Sequence, residues 1–252
     1  MIEHASIPRI IHYCWFGPNP IPETEQKCIA SWHKHMPEYQ YIFWSEDTFD
    51  ITLVPFVYEA YLAKKWAFVS DYVRFYALNE YGGIYLDTDI EVFKSFDSLL
   101  GEPAFIGFES DYFVAAGVIG TTPRNRYFSS LMKWYCRNHF ILDLKGAFAT
   151  SPMLVTSLLR QQAELKVDGQ YQLLVGITVF SKSTFYPDID TIATSDNSYC
   201  IHYGSASWIE PERAKRNAFF ARVKRALRRV LGDGFYQFFT SIWRTFIPRQ
   251  YY

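Results

Sequence analysis

The run GGIYLDTDIEVF, residues 82–93, limits the folds open to this chain more than any other stretch. Its apolar residues read as a buried strand, and the two glycines before it read as the stop of a preceding helix. Two aspartates, Asp87 and Asp89, stand one residue apart in this run. Side chains at i and i+2 of a strand share a face, so both carboxylates are expected to aim at one spot. Like charges that close resist desolvation unless a cation or a shared proton compensates them. The run therefore asks for an open α/β sheet, where ligands sit beyond the carboxyl ends of the strands. It also suits a hard divalent ion, Mg²⁺ or Mn²⁺, that bridges to phosphate.

The rest of the chain reads as such a sheet. IPRIIHYCWFG (7–17) is a strand ended by a Gly-Pro loop, 23–35 a helix, and YQYIFW (39–44) the next strand. That is a βαβ unit, which implies parallel strands covered by helices. Helices are expected over 55–64, 66–81, 125–138 and 152–162, and strands over 104–109, 115–120 and 199–203. Strands and helices alternate throughout, so residues 1–210 are expected to form one α/β domain with a central, mostly parallel sheet flanked by helices.

Residues 211–252 differ in charge. They hold ten Lys/Arg against two Asp/Glu, a net of +8, whereas the preceding 210 residues carry 15 against 24, a net of −9. An acidic body with a basic tail is not the profile of a nucleic-acid-binding domain, so no nucleic-acid partner is expected. In ERAKRNAFFARVKRALRRVL (212–231), Phe219, Phe220, Val223, Leu227, Val230 and Leu231 form one helical stripe, with arginines largely elsewhere on the wheel. Together with the aromatic FYQFFTSIWRTFI that follows, residues 212–247 suit an in-plane anchor on an anionic membrane surface, or a helix packed on the body. No run of about 18 apolar residues is present to span a bilayer. Cys14, Cys28, Cys136 and Cys200 form no CxxC pair, and MIEHASIPRI lacks the pattern of a signal peptide. Both features fit a cytoplasmic chain, peripheral on the inner face of the plasma membrane.

Several residues could serve a site at the DxD end of the sheet. Asp71 and Arg74, at i and i+3 of the helix before it, share a face amid aromatic neighbours, which favours a cleft over a surface ion pair. Trp15 closes the first strand, where an indole can stack a nucleobase. His202 closes the last strand, and imidazole is a good Mn²⁺ partner beside carboxylates. Ser207 and Trp208 follow a glycine turn and could donate to phosphate.

In this order, IPRIIHYCWFG, SW (31–32), KKWAFVSDYVRFYALNEYGGIYLDTDIEV and HYGSASW resemble the family 32 glycosyltransferases. These are DXD sugar transferases that include fungal mannosyltransferases and many bacterial capsule and lipopolysaccharide enzymes, with clostridial toxin glucosyltransferases as more distant relatives. Residues 65–92 carry the specific part, and the tail lies outside the resemblance. The resemblance implies a GT-A fold, a nucleotide-sugar donor, a divalent metal (Mn²⁺ or Mg²⁺) and transfer with retention. It implies that Trp15 stacks the base, Asp71 and Arg74 hold the donor sugar and ribose, and Tyr85 helps form the base and ribose pocket. Asp87 would touch ribose or metal, Asp89 would be the principal metal ligand, and His202 and Trp208 would close over the diphosphate. The expected reaction moves a hexose, from a UDP-sugar ahead of a GDP-sugar, to a glycan or lipid-linked glycan in cell-surface polysaccharide synthesis. Glu109, in GFESDY, is a candidate for acceptor contact.

Two other readings compete. IYLDTDIEV has the strand-then-DxD shape of haloacid-dehalogenase-type aspartate phosphatases, but that chemistry leaves Asp71 and Arg74 unexplained. A metal-dependent carbohydrate-binding protein would combine acids and aromatics too, in a chain expected to be all-β. No GxGxxG follows a strand, which disfavours a NAD enzyme.

Overall fold

The computed structural model describes residues 6–140, 150–188 and 197–204. The tail over 211–252, with its expected helix, and Ser207 and Trp208 lie outside the described residues. In chain order the elements are β1 (Ile10–Cys14), α1 (Glu23–His35), β2 (Gln40–Trp44), α2 (Pro55–Leu62), α3 (Trp66–Tyr81), β3 (Gly83–Leu86) and β4 (Ile90–Val92). Then follow β5 (Ala104–Ser110), β6 (Phe113–Thr121), α4 (Arg126–Arg137), α5 (Ser151–Gln162), β7 (Gln172–Leu174), β8 (Ile177–Phe180), α6 (Lys182–Phe185) and β9 (Cys200–His202).

Seven strands form one sheet in the order β2-β1-β3-β6-β5-β8-β7. β1 pairs in parallel with β2 and β3, and β5 with β8, while β6 runs against both β3 and β5, and β7 against β8. Five of the seven strands (β2, β1, β3, β5, β8) therefore run one way, so the sheet is mostly parallel. The expected strict alternation of strands and helices is corrected here. β5–β6 and β7–β8 are direct antiparallel connections, which need only a short turn where a parallel pair needs a crossover.

Period-two side-chain alternation sorts the core onto two faces. Tyr85, Ile106, Phe108 and Ile119 pack with α2, α3, α4 and α5 on one side. Ile84, Leu86, Phe105 and Val118 pack with α1, β4, β9 and α6 on the other. Two glycines shape the approach to the DxD run. Gly82, at φ +64°, ends α3, and Gly83, at φ +98°, runs so close to β1 that a Cβ would lie 2.6 Å from the Ile10 carbonyl oxygen. Beneath them His12 is fully buried: its Nε2–H donates to the Gly82 carbonyl (2.8 Å), and its Nδ1 accepts from Trp44 Nε1 (3.2 Å). Burial outweighs the hydrogen bond to Gly82 and pushes its pKa down to about 4, so the ring is neutral scaffold.

Candidate active site

The DxD run is not a continuous strand. β3 stops at Leu86, and Asp87–Asp89 form a turn in which the Ile90 N–H donates to the Asp87 carbonyl (3.1 Å) before β4 begins. The period-two reason for the convergence of the carboxylates is thus corrected, since a turn brings them together. β4 pairs antiparallel with β9, with Ile90 opposite His202, and the Tyr203 N–H donates to the Asp89 carbonyl (3.1 Å). This two-stranded sheet delivers His202 to the DxD turn, with Nε2 3.1 Å from Asp89 Oδ1. One ligand atom each from Asp87, Asp89 and His202 lie within 4.8 Å of one another. Burial would lower the His202 pKa, but the hydrogen bond to Asp89 and the charges of Asp89, Asp87 and Glu109 outweigh it and raise it.

The SW dipeptide has a mechanical role. Trp32 Nε1 donates to the Ile90 carbonyl (2.6 Å), and Ser31 Oγ accepts from the Val92 N–H (2.9 Å). Both bonds run from α1 to β4, so this helix pins the strand that leaves the DxD turn.

Behind the turn lies a buried polar cluster. Arg74 Nη2 is 3.1 Å from Asp87 Oδ1 and 3.2 Å from Asp71 Oδ1, and Nη1 donates to the Ala116 carbonyl (2.8 Å). The guanidinium lies 4.6 Å from the Tyr85 ring centre, and the Tyr85 hydroxyl donates to Asp87 Oδ1 (2.9 Å). Ser151, at the start of α5, donates to Asp71 Oδ1 (2.7 Å). Burial raises the Asp71 pKa, opposed by Arg74 and by the Ser151 hydrogen bond. The Arg74 pKa stands well above its usual value, because the charges of Asp87 and Asp71 overcome the cost of burial. Arg74 is therefore a fixed cation that neutralises two carboxylates. Its Nε is buried with no hydrogen-bond partner among the described residues.

Asp87 is also held by its backbone, whose N–H donates to the Gly117 carbonyl (2.9 Å). Gly117 makes room for the carboxylate, since a Cβ there would lie 2.7 Å from Asp87 Oδ2. Nearby, the Tyr186 hydroxyl accepts from the Val118 N–H (2.7 Å).

The structure thus brings Asp71, Arg74, Tyr85, Asp87, Asp89 and His202 together. Tyr85 is 1% exposed and meets the site through its hydroxyl, on Asp87, and through its ring, against Arg74. Trp15 stands at the same sheet edge, beyond β1, half-buried, with its indole N–H bonded to the Asn19 carbonyl (2.7 Å). Glu109 is half-buried near the end of β5 and feels the charges of His202 and Asp87. Sequence reasoning missed Ser151, the Ala116 carbonyl, Gly117 and Tyr186. Of these only Gly117 carried a signal, as a glycine inside a strand, which marks close approach of another group.

Residues 22–106 match the family described as a glycosyltransferase sugar-binding region containing a DXD motif. The mannosyl phosphorylinositol ceramide synthase CSH1 of Saccharomyces cerevisiae is 32% identical over 166 residues, 62% of this chain and 43% of that protein. Inositol phosphoceramide mannosyltransferase 3 of Schizosaccharomyces pombe is 29% identical over 164 residues, 61% of this chain and 45% of that protein. The chain thus spans less than half the length of these curated relatives. Among solved structures, one titled PaToxG Glycosyltransferase aligns with a TM-score of 0.48 at 23% identity, over 62% of this chain and 69% of that one. Residues 22–106 are thus similar to DXD glycosyltransferases, and the two fungal relatives are similar over about three fifths of the chain. The relatives' names are those of fungal inositol-phosphoceramide enzymes, which differ from the expected bacterial capsule or lipopolysaccharide type.

Proposed function

We propose that this chain is a metal-dependent glycosyltransferase of GT-A type. It moves a hexose from a nucleoside-diphosphate sugar to a hydroxyl group of a glycan or lipid-linked glycan, with retention. The observation that carries this reading is the convergence of Asp87, Asp89 and His202 at the carboxyl edge of a mostly parallel sheet. Two carboxylates and an imidazole are a fitting donor set for Mn²⁺, and the carboxylates alone for Mg²⁺. When bound, the ion offsets the charge that builds on the departing diphosphate.

The chain's own residues do the positioning. Arg74 and Tyr85 both engage Asp87 Oδ1, which fixes the carboxylate's orientation toward the site. Ser151 and Arg74 fix Asp71 in the same way. Trp15 stacks the base at the β1 end. A phosphatase reading leaves the buried Asp71, with its bonds to Arg74 and Ser151, without a role.

The names of the relatives make mannose the first donor sugar to test and a phosphoinositol-bearing lipid the first acceptor, ahead of a capsule or lipopolysaccharide glycan. The donor nucleotide is UDP or GDP. A lipid-borne acceptor also gives the basic tail a purpose, as an anchor to the anionic cytoplasmic surface. The test is a panel of UDP- and GDP-sugars scored for release of nucleoside diphosphate with Mn²⁺, with Mg²⁺ and in EDTA. Metal-dependent release from one donor supports the function. Release of phosphate from p-nitrophenyl phosphate, with no donor cleaved, contradicts it.

A further inference from the structure

The directions of the strands place a second group of residues on the same sheet edge as the DxD turn. β1, β3, β5 and β8 run the same way, so their carboxyl ends line one edge. Trp15 follows β1 and Asp87 follows β3. Across β6, Tyr85 pairs with Ile119 and Ile119 pairs with Ile106, so Tyr85 and Ile106 lie level. At ~3.3 Å per residue along a strand and ~4.8 Å between strands, Glu109 stands a few ångströms higher than Asp87 and about two strands to the side. That leaves about 10 Å between their backbones, room for one sugar ring with its contacts on either side.

Past Glu109 the edge becomes aromatic and open. Tyr112, in the turn between β5 and β6, is 64% exposed, and Tyr171, at the start of the β7–β8 hairpin, is 55% exposed. The two turns are packed together: Gly169 lies so close to the first that a Cβ would be 2.7 Å from Asp111 Oδ1. Both are built rigidly. Ser110 Oγ accepts from the Tyr112 N–H (3.3 Å), Asp168 Oδ1 accepts from the Gln170 N–H (3.0 Å) and from Gln172 Nε2 (2.9 Å), and the Tyr171 ring stands edge-on to Phe180 at 5.6 Å. Exposed tyrosines on stiff turns lose little freedom when they receive a ligand.

We propose that Tyr112 and Tyr171 form the acceptor platform, which holds a neutral saccharide or cyclitol ring by its apolar face, with Glu109 accepting a hydrogen bond from one of that ring's hydroxyls. The inference rests on the glycosyltransferase reading above and adds to it the residues that hold the acceptor. It divides the edge into a donor half, from Trp15 to Asp87, and an acceptor half, from Glu109 to Tyr171.

The test uses the full chain with Mn²⁺ and GDP or UDP, and saturation-transfer NMR of methyl α-mannopyranoside and myo-inositol. Wild type should show transfer to at least one ring, and Tyr112→Ala/Tyr171→Ala should abolish it with nucleotide affinity unchanged. Glu109→Gln should weaken ring binding about threefold to tenfold, again with nucleotide affinity unchanged. Equal ring binding by wild type and the double tyrosine variant overturns the platform, as does nucleotide binding without ring binding in wild type. Failure of wild type to bind nucleotide instead overturns the underlying function. Co-sedimentation of wild type with phosphatidylcholine vesicles that the double variant loses, with ring binding intact, would assign the tyrosines to a lipid surface and overturn the platform.

Discussion

Arg74 is the residue whose removal the site should tolerate least. In Arg74→Met the apolar stem is kept, while Asp71 and Asp87 lose the cation 3.2 and 3.1 Å away. Their side chains are only 11% and 27% exposed, so water cannot fully take its place. Removing one partner of a buried ion pair costs roughly 3–5 kcal/mol. The Ala116 carbonyl loses a donor as well, at about 1 kcal/mol or more, and the contact with Tyr85 adds up to about 2 kcal/mol. Protonation of Asp71 relieves part of this, since burial already raises its pKa. The expected net loss is about 4 kcal/mol, a large share of the ~5–15 kcal/mol that holds a domain folded. With a urea m-value of about 3 kcal/mol/M, the midpoint should fall by roughly 1.3 M. In the double variant Asp71→Asn/Arg74→Met one stranded charge is gone, so the loss should be about 1–2 kcal/mol smaller than the sum of the single losses. A midpoint shift for Arg74→Met below about 0.3 M, or strict additivity in the double variant, would refute the view of Arg74 as the charge centre of this cluster.

Three further outcomes are expected. Trp15→Ala should raise the donor KM more than it lowers kcat, since stacking acts in ground and transition states alike; an unfolded variant by circular dichroism would make Trp15 core instead. His12 has a folded pKa of about 4, below its ordinary 6.5, so the unfolded chain takes up its proton first. That stability is fully present above pH 6.5 and is lost as pH falls through 4, by about 3 kcal/mol at 1.36 kcal/mol per unit. Urea midpoints measured between pH 7 and 4 should show the fall in wild type and a flatter profile in His12→Gln. The full chain should co-sediment with anionic liposomes at low salt while a chain ending near Pro211 does not, and equal behaviour of the two would remove the anchor.

Much of the scaffold was legible because its signals are local. Gly82-Gly83 marked the end of α3 at Tyr81, and the apolar run after it marked β3. α1 was read at its observed bounds from Glu23 to His35. β7, β8 and α6 escaped because runs of three or four residues carry too few repeats for a period to show. The antiparallel course of β6 was hidden for another reason: its apolar run is long enough for a buried strand of either direction. In the site, the sharing of one face by Asp71 and Arg74 followed from helical spacing. Their partner Asp87 did not, because that pairing depends on how α3 lies against β3. Ser151 was illegible for the same reason, since nothing local separates it from any serine at a helix start.

The central claim is that Asp87, Asp89 and His202 hold a divalent ion that receives a nucleoside diphosphate. Isothermal titration of GDP and UDP, with and without Mn²⁺, into wild type and Asp89→Asn tests it most directly. For one nucleotide, wild type should bind at least about tenfold tighter with Mn²⁺, equivalent to about 1.4 kcal/mol, and Asp89→Asn should show no such gain while its circular dichroism is unchanged. A gain that survives in Asp89→Asn, or its absence for both nucleotides in wild type, would contradict the assignment.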